Sequence, residues 1–320
     1  MFEYFKNGIR ITDSSLWLDP SKKMPFAYVS HAHADHIRKH QKIIATPATI
    51  SFFEKRLGRT ETIPLEYQTP YRLNHLEIEL FPSGHMLGAS QIQIVKDGVR
   101  FVYTGDFNTA RSETTQRIEI RSADILIMEC TFGLPRYQFP PRWEIIEMLI
   151  NFIEDSFDRG LVPVIFCYTL GKGQEVLKIL GDRGYQLSVY TTIYQMAKIY
   201  ENHGVSFKNM KKYENEDLRG RVMLLPAHMK NWIEKRYAGA INKAVVTGWA
   251  VDSSARYRYG ADVAIPLSDH ADFNGLIDYV KRASPKVVYL THGFTQFAHY
   301  LQKEGFDARP LVYSSQISLF

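Results

Sequence analysis

The sequence predicts an α/β protein, and three observations support that fold class. The first third of the 320 residues reads as strands joined by hairpin turns. From about Phe139 onward, helical and strand-like segments alternate, which is typical of a parallel sheet covered by helices. Histidine or acidic residues follow six of the predicted strands, and sites in α/β sheets form beyond the carboxyl ends of strands. We therefore expect one functional site at these strand ends.

Two turn signals define the amino-terminal hairpins. The stretch "YFKNGIRI" contains an Asn-Gly turn, and "SQIQIVKDGVRFVYTGD" contains an Asp-Gly turn between alternating strands. The segment "LNHLEIELF" alternates apolar and acidic residues, as a half-exposed strand does. These patterns predict strands and hairpins in the first third of the chain.

The middle of the chain has the alternation of helices and strands that is typical of a separate α/β unit. The stretch "PPRWEIIEMLINFIEDSFDRG" starts with proline, ends with glycine and shows helical spacing of Trp143, Ile146, Ile150 and Ile153. The strand "LVPVIFC" and the helix "GKGQEVLKIL" come next. The strands "YQLSVY", "RVMLLPA" and "NKAVVTG" follow, and then helix, strand and helix again.

Composition narrows the class of protein. With 45% apolar residues the chain can bury a sizeable core. Two cysteines, Cys130 and Cys167, do not make a disulfide scaffold and favour a reducing setting. The amino terminus has no apolar signal region, and the apolar runs are too short to cross a bilayer. We therefore expect a cytoplasmic protein without a membrane partner.

Positive charge is concentrated between Arg221 and Arg258. This stretch has seven basic and two acidic residues, which equals the net charge of +5 of the whole chain. Aromatic residues are interleaved with the charges, a combination that suits single-stranded nucleic acid. A solvated surface with ordinary core aromatics is the alternative. Trp249, Arg256 and Arg258 are the candidate nucleic-acid contacts.

The loop "TLGKGQ" provides a fourth candidate contact. It places Lys172 where a strand turns into a helix, and the free N–H groups of such a helix start favour a phosphate. The full spacing of a Walker loop is absent. A tight turn with an exposed lysine is an equally good interpretation.

The motif "HAHADH" is the strongest indication of chemistry. A tight turn can direct alternate side chains to two points, so that His31 and His33 hold one ion while Asp35 and His36 hold another. Neutral imidazoles and carboxylates suit zinc, with about four ligands per ion including water. Solvated loop histidines are the poorer interpretation, because four ligand-type residues fall within six positions.

Further strand ends can complete such a pair of ions. His85 can join the first ion and His292 the second, while the two oxygens of Asp106 can bridge both. Two zinc ions, with Mn²⁺ as a substitute, would lower the pKa of a shared water and assist in-line displacement at phosphorus. Many neutral histidines with one bridging carboxylate leave the two ions with a net positive charge, and this charge favours an anionic substrate.

The motifs "HAHADH", "SGH", "TGD" and "THG", in this order, resemble those of the metallo-β-lactamase fold. That resemblance implies an αββα sandwich with a two-zinc site between its sheets. "MECTFG", "LSDHADF" and "LTHG" are similar to three further motifs of the β-CASP nucleases, in which an α/β domain is inserted into this fold. The resemblance implies a metallo-β-lactamase domain formed by 1–138 and 263–320, with a β-CASP domain at 139–262.

A narrower resemblance covers nearly the whole chain. "TFGLPRYQFPP", "FCYTLGKGQ", "VTGWA" and "LSDHADF" are similar to bacterial exonucleases associated with ATP-dependent DNA ligases. It implies a DNA exonuclease in DNA repair, with a ligase and a helicase as partners. His292 at the third extra motif is usual for RNA-directed members, so an RNA-processing nuclease of the mRNA 3′-end type stays open. Thioester or lactam hydrolysis and a non-catalytic nucleic-acid-binding scaffold are weaker alternatives.

The resemblance also implies individual roles. His292 becomes the ligand of the second zinc, and His270 becomes a general acid oriented by Glu129. Asp35 has a second role, in which it orients the attacking hydroxide. Spacing alone leaves the opposite assignment open, in which His270 is the zinc ligand and His292 contacts a ligand without binding the ion itself.

Overall fold

A computed structural model describes residues 1–252 and 254–312, and the chain divides into two compact units. Unit 1 comprises Met1–Arg111, Thr115–Tyr137 and the chain from His270 onward. Unit 2 comprises Ser112–Thr114 and Gln138–Asp269. The predicted insert, 139–262, falls inside unit 2, and residues 313–320 of the predicted return segment lie outside the described residues.

The first sheet of unit 1 has six strands in sequence order. Its first three strands are antiparallel neighbours, and the others pair in parallel. Numbered in chain order through the whole molecule, its strands are β1 (Phe2–Phe5), β2 (Gly8–Ile11), β3 (Leu16–Leu18), β4 (Phe26–Tyr28), β5 (Lys42–Ala45) and β6 (Glu61–Pro64).

The second sheet of unit 1 has seven strands. They are β7 (Tyr71–Leu73), β8 (Leu76–Pro82), β9 (Ser90–Lys96), β10 (Val99–Tyr103), β11 (Ile125–Cys130), β18 (Val287–Gly293) and β19 (Ala308–Pro310), in the spatial order β19-β18-β11-β10-β9-β8-β7. Because β9 is antiparallel to both β8 and β10, while β10, β11, β18 and β19 are parallel, five strands run in one direction. Their carboxyl ends therefore meet at one edge of the sheet.

Alternation along the strands builds the layers of unit 1. Phe101 and Tyr103 of β10 face an apolar cluster shared with Leu18 and Ile44 of the first sheet. Val102, between them, faces a second cluster. That cluster packs the outer face of the sheet against α7 (Phe273–Ala283) and α8 (Phe297–Lys303). A further helix, α1 (Pro47–Leu57), contacts β6. These layers form the αββα sandwich of the metallo-β-lactamase fold, as predicted.

Unit 2 has a six-stranded, wholly parallel sheet in the order β14-β13-β15-β12-β16-β17. The strands are β12 (Val162–Phe166), β13 (Leu187–Val189), β14 (Met210–Lys212), β15 (Val222–Leu225), β16 (Ile241–Val246) and β17 (Val263–Ile265). The helices are α2 (Arg142–Asp158), α3 (Lys172–Gly181), α4 (Thr191–Asn202), α5 (Lys230–Arg236) and α6 (Ala255–Tyr259). Short 3-10 turns occupy Ala227–Met229 and Gly248–Val251.

Two apolar clusters cover the faces of this parallel sheet. Ile165 of β12 packs with residues of α2, α3 and α4, such as Leu149 and Val176. Its neighbours Val164 and Phe166 point to the other face, where Ile233 of α5 lies. Helices on both faces explain why the central strands β12 and β15 are apolar along their whole length.

The structure corrects two expectations about helices. The first third of the chain contains α1, which begins behind the capping hydroxyl of Thr46 and ends at Gly58. The predicted apolar stripe of α2 is correct only in part: Ile153 is buried and Ile146 packs against the same cluster, but Trp143 is 61% exposed, and Ile145 and Leu149 are buried as well. Along residues 1–252 and 254–312, no helix combines the length and apolarity that crossing a membrane requires.

Candidate metal centre

The carboxyl edge of the second sheet places four ligand-type residues together. His85 follows β8, Asp106 follows β10, Glu129 lies near the end of β11, and His292 lies near the end of β18. The loop after β4 of the first sheet adds the "HAHADH" residues. His270 differs from the prediction, because β17 before it belongs to the sheet of unit 2. In unit 1, His270 lies in the loop that leads into α7.

A first donor group combines three imidazoles with one carboxylate: His31, His33, His85 and Asp106. Their ligand atoms all lie within 4.8 Å of one another. His31 Nε2 is 3.4 Å from Asp106 Oδ2, and His85 Nε2 is 3.0 Å from His33 Nδ1. Atoms at these separations surround a single point, as the ligands of one ion do.

A second donor group consists of His36, Asp106 and His292. His36 Nε2 lies 3.4 Å from Asp106 Oδ1, and the His36 and His292 rings have centroids 5.0 Å apart. Asp106 thus turns Oδ2 to the first group and Oδ1 to the second. His292 holds a left-handed backbone conformation, φ 47°, of the kind that clusters at functional sites.

The structure leaves Asp35 outside both donor groups. Its side chain is 76% exposed, and its Oδ2 lies 3.9 Å from His36 Nε2. The alternating turn proposed for "HAHADH" therefore directs three histidines inward and the carboxylate to the rim.

These donor groups fit zinc by their chemistry and by one orphaned atom. Imidazole nitrogens and carboxylate oxygens are usual zinc ligands. Within the part of the chain that the structure describes, the buried Nε2 of His31 has no hydrogen-bond partner. Burial and the neighbouring His36 hold the pKa of His31 well below its usual range. A neutral imidazole keeps the lone pair that a metal ion needs.

Asp106 and His36 shift each other's pKa. Burial alone would raise the pKa of Asp106, but His36 and His31 hold it well below its usual range. Burial would likewise lower the pKa of His36, but Asp106 and Asp19 hold it well above. The carboxylate at the junction of the two groups is therefore ionised.

Asp19, which the sequence patterns did not single out, holds two histidines of the donor groups in place. Its Oδ2 lies 2.8 Å from His36 Nδ1 and accepts a hydrogen bond from Tyr103 at 3.0 Å. Asp19 Oδ1 accepts a hydrogen bond from the backbone N–H of Ser30, and Oδ2 accepts one from the Ser30 hydroxyl. The Ser30 Oγ in turn lies 3.0 Å from His31 Nδ1. Carboxylates in this position fix the ring orientation of ligating histidines. Asp19 directly follows β3, so the strand-end rule could have found it.

Glu129 and His270 form a separate pair beside Asp106. His270 Nδ1 lies 2.9 Å from Oε1 and 3.1 Å from Oε2 of Glu129. The buried carboxylate also accepts hydrogen bonds from the N–H groups of Phe107 and Thr131 and from the Thr131 hydroxyl. His270 Nε2 lies 4.0 Å from Asp106 Oδ2. Glu129 thus fixes the ring and directs its other nitrogen toward the donor groups.

The four predicted nucleic-acid contacts all lie in unit 2. Lys172 is only 5% exposed, pairs with Asp269 at 2.8 Å and lies over the Tyr168 ring. It is therefore not the exposed lysine of the alternative interpretation, and its contact with a phosphate stays a prediction. Trp249 is half-buried in a 3-10 turn. Arg256 and Arg258 lie on α6, both exposed.

The basic stretch of unit 2 separates into structural and exposed residues. Arg221 bonds to Ser188, and Lys243 pairs with Glu234 at 2.7 Å. The guanidinium of Arg256 lies over the Tyr257 ring, which is 72% exposed. Only part of the charge excess noted in the sequence is therefore available to a partner.

Comparisons with known proteins bear on this site. Residues 263–309 match the Zn-dependent metallo-hydrolase RNA specificity domain. A probable DNA ligase of Opitutus terrae is 32% identical over 98% of this chain, and the chain spans 31% of that relative. An RNase J-like protein of Methanocaldococcus jannaschii is 22% identical over 85% of this chain and 82% of its own length. Endoribonuclease YSH1 of Kluyveromyces lactis is 25% identical over 73% of this chain and 38% of its own length.

A solved structure shares the fold. It is the crystal structure of a protein of unknown function from Enterococcus faecalis V583, with a TM-score of 0.63 and 13% identity. The likeness covers 91% of this chain and 80% of that chain. Sheet topology, the histidine and aspartate motifs and the relatives agree, and the chain is similar to metallo-β-lactamase-fold β-CASP proteins, which are related to the mRNA 3′-end-processing factors.

Proposed function

We propose that the protein is a two-zinc phosphodiesterase that hydrolyses nucleic acid. The observation that carries the proposal is the position of Asp106, whose two oxygens face two separate groups of histidines. The first ion would be held by His31, His33, His85 and Asp106, and the second by His36, Asp106 and His292. When bound, two such ions act as Lewis acids toward a phosphodiester and lower the pKa of water to near neutrality.

In this proposal His270 is the proton donor. The leaving alkoxide of a phosphodiester needs a proton, and the Nε2 edge of His270 faces the donor groups while Nδ1 is bonded to Glu129. The buried Glu129 carboxylate stabilises the imidazolium form and keeps the ring in one orientation. A proton would pass from Nε2 to the leaving oxygen. Asp35, at the rim, remains a predicted orienting group for the attacking hydroxide.

We favour DNA as the substrate and cleavage from an end. The support is the relative named as a probable DNA ligase, which aligns with 98% of this chain. A ligase partner follows from the same relative, and a helicase partner stays a prediction. RNA is the second candidate, supported by the match of residues 263–309 to an RNA specificity domain and by relatives named as ribonucleases.

Matched oligonucleotides test both candidates. The zinc-loaded protein is incubated with DNA and RNA of one sequence, labelled at either end, with free or blocked termini. We expect a ladder of DNA products that a blocked terminus suppresses. Faster cleavage of RNA, or internal cuts independent of the termini, would favour the second candidate. Intact substrates of both kinds at full zinc occupancy would refute a nuclease.

A further inference from the structure

An unpaired arginine lies on two stacked aromatic rings in unit 1. The Tyr137 and Phe294 rings stack with centroids 5.5 Å apart and an angle of 21°. The exposed guanidinium of Arg136 lies 4.9 Å from the Tyr137 centroid and 5.9 Å from that of Phe294. It donates to the Tyr137 hydroxyl at 3.0 Å and has no ion pair with any described carboxylate. We call these three residues the Arg136 platform.

Ring contacts connect the Arg136 platform with the candidate metal centre. Tyr137 meets Phe132 edge to face at 5.3 Å, and Phe132 meets the His270 ring at 6.1 Å. The platform is therefore two ring contacts away from the predicted proton donor. This proximity places it within reach of the nucleotides that flank a cleaved bond.

Tight backbone packing fixes the platform to the same strands. A Cβ on Gly293, φ 134°, would lie 2.2 Å from the Cys130 carbonyl oxygen, so only glycine allows this approach. The same carbonyl accepts hydrogen bonds from the N–H groups of Gly133 and Phe294. Phe294 follows His292 by two residues, and Cys130 follows Glu129. The platform thus keeps a fixed position relative to the site.

An open depression lies along α8, and its lining residues Leu134 and Gln296 are each two positions along the chain from Arg136 and Phe294, respectively. It has a volume of about 710 Å³ and is lined by Leu134, Gln296, His299, Tyr300, Gln302 and Lys303. The exposed Lys303 ammonium lies 6.0 Å from the centre of the Tyr300 ring, a second cation over an aromatic ring. Its described lining contains no acidic side chain. Cations and aromatic faces arranged in a row suit the backbone and bases of a single strand.

We propose that the Arg136 platform and the α8 depression bind a single-stranded segment adjoining the scissile phosphodiester. The guanidinium pairs with a backbone phosphate, and its outer face stacks with a base. Lys303 holds a more distant phosphate. This inference rests on the proposed function and adds to it a binding track on unit 1, where the sequence indicated unit 2.

Binding of a labelled single strand tests the inference directly. Fluorescence anisotropy is measured with the zinc-loaded full chain and a phosphorothioate DNA strand of about ten nucleotides, within the site size of single-strand binders. Arg136→Ala should weaken binding about tenfold through the lost base stacking and phosphate contact. It should also reduce the slope of log K against log salt by about 0.7. Arg72→Ala is the control, because Arg72 is exposed on β7 at the opposite edge of the second sheet.

Arg136→Lys separates charge from stacking. It should keep the salt slope but lose the preference for a strand with bases over one with abasic sites along the bound segment. Zinc content and thermal unfolding of each variant verify folding. An Arg136→Ala affinity within twofold of that of Arg72→Ala, with an unchanged salt slope, would overturn the inference. Because binding is read without turnover, an inactive protein that still discriminates these variants would refute the nuclease proposal alone.

Discussion

At the residue scale, His270 and His292 stand in different relations to the carboxylates. His292 shares a donor group with His36 and Asp106, whereas His270 is bonded to Glu129. We expect His270→Ala to lower the cleavage rate by 10²- to 10⁴-fold, the usual contribution of a general acid, with roughly two zinc ions retained. His292→Ala should lose one zinc ion. Metal analysis and oligonucleotide cleavage on the same samples measure both quantities.

The opposite pattern would exchange these two roles. If His270→Ala loses a zinc ion while His292→Ala keeps both, then His270 is the ligand. Glu129→Gln provides a companion variant, because it keeps the shape of the side chain but removes the charge that stabilises the imidazolium. Its activity should fall without loss of metal.

Asp19 gives a second prediction at this scale. Asp19→Asn removes the negative charge that holds the His36 ring in its orientation. Zinc affinity should therefore fall by 10- to 100-fold. Titration against a chelator of known affinity measures the change. Asp13→Asn is the matched control, since Asp13 is an exposed partner of Lys96. Equal affinities of the two variants would exclude an orienting role for Asp19.

Sequence reasoning selected members of the two donor groups where a motif combined residue type with placement. The "HAHADH" turn and the strand ends at His85, Asp106 and His292 required no knowledge of packing. The side chain of Lys172 could not be placed in this way, because its partner Asp269 is 97 positions away in the chain. Local sequence does not indicate a distant ion pair.

At the element scale, α2 shows how a helix can be predicted correctly with its buried face only partly assigned, because Ile153 is buried but Trp143 is exposed. Leu149→Ala should destabilise unit 2 by about 2–5 kcal/mol, because it leaves a cavity in the cluster between α2 and the sheet. Trp143→Ala should change stability by no more than about 0.5 kcal/mol, since the ring is mostly in solvent. Urea unfolding followed by circular dichroism compares the two. A larger loss for Trp143→Ala would restore the face that the sequence suggested.

The helix α1 was not predicted because its residue types favour a strand. The segment "TPATISFFEKRLG" has β-branched and aromatic residues that favour a strand, and its neighbours are strands. The end signals were nevertheless present, with Thr46 before Pro47 and Gly58 behind the last turn. In α2 both ends were visible, but Ile and Leu occur on several sides of the helix. Packing against the sheet of unit 2 decides which side is buried, and the periodicity alone did not.

At the scale of the whole molecule, metal binding should contribute to the stability of unit 1. The donor groups join loops from both of its sheets, and an unfolded chain does not hold these residues together. At a free zinc concentration of 100 times Kd, each site adds about 2.7 kcal/mol. Removing both ions with a chelator should therefore lower the Tm by roughly 10–20 °C. Calorimetry with and without zinc measures the shift, and an identical Tm after verified removal would contradict it.

The architecture of the molecule was predicted from two different kinds of information. Alternating helices and strands indicated an α/β region in the middle of the chain, and motif resemblance implied that it interrupts a sandwich. Neither indicated that β17, the strand before "PLSDHADF", belongs to the sheet of unit 2. Strand and loop can be predicted locally, but the sheet that a strand joins depends on contacts across the whole unit.

The order of the site residues along the chain has a consequence for synthesis. The three "HAHADH" histidines, His85, Asp106 and Glu129 precede the segment Gln138–Asp269, whereas His270 and His292 follow it. A growing polypeptide on the ribosome therefore has a partial ligand set long before it has its proton donor or a complete second donor group. The proposed nuclease would acquire the ability to cut nucleic acid only after the segment Gln138–Asp269 and the strand β18 have been synthesised.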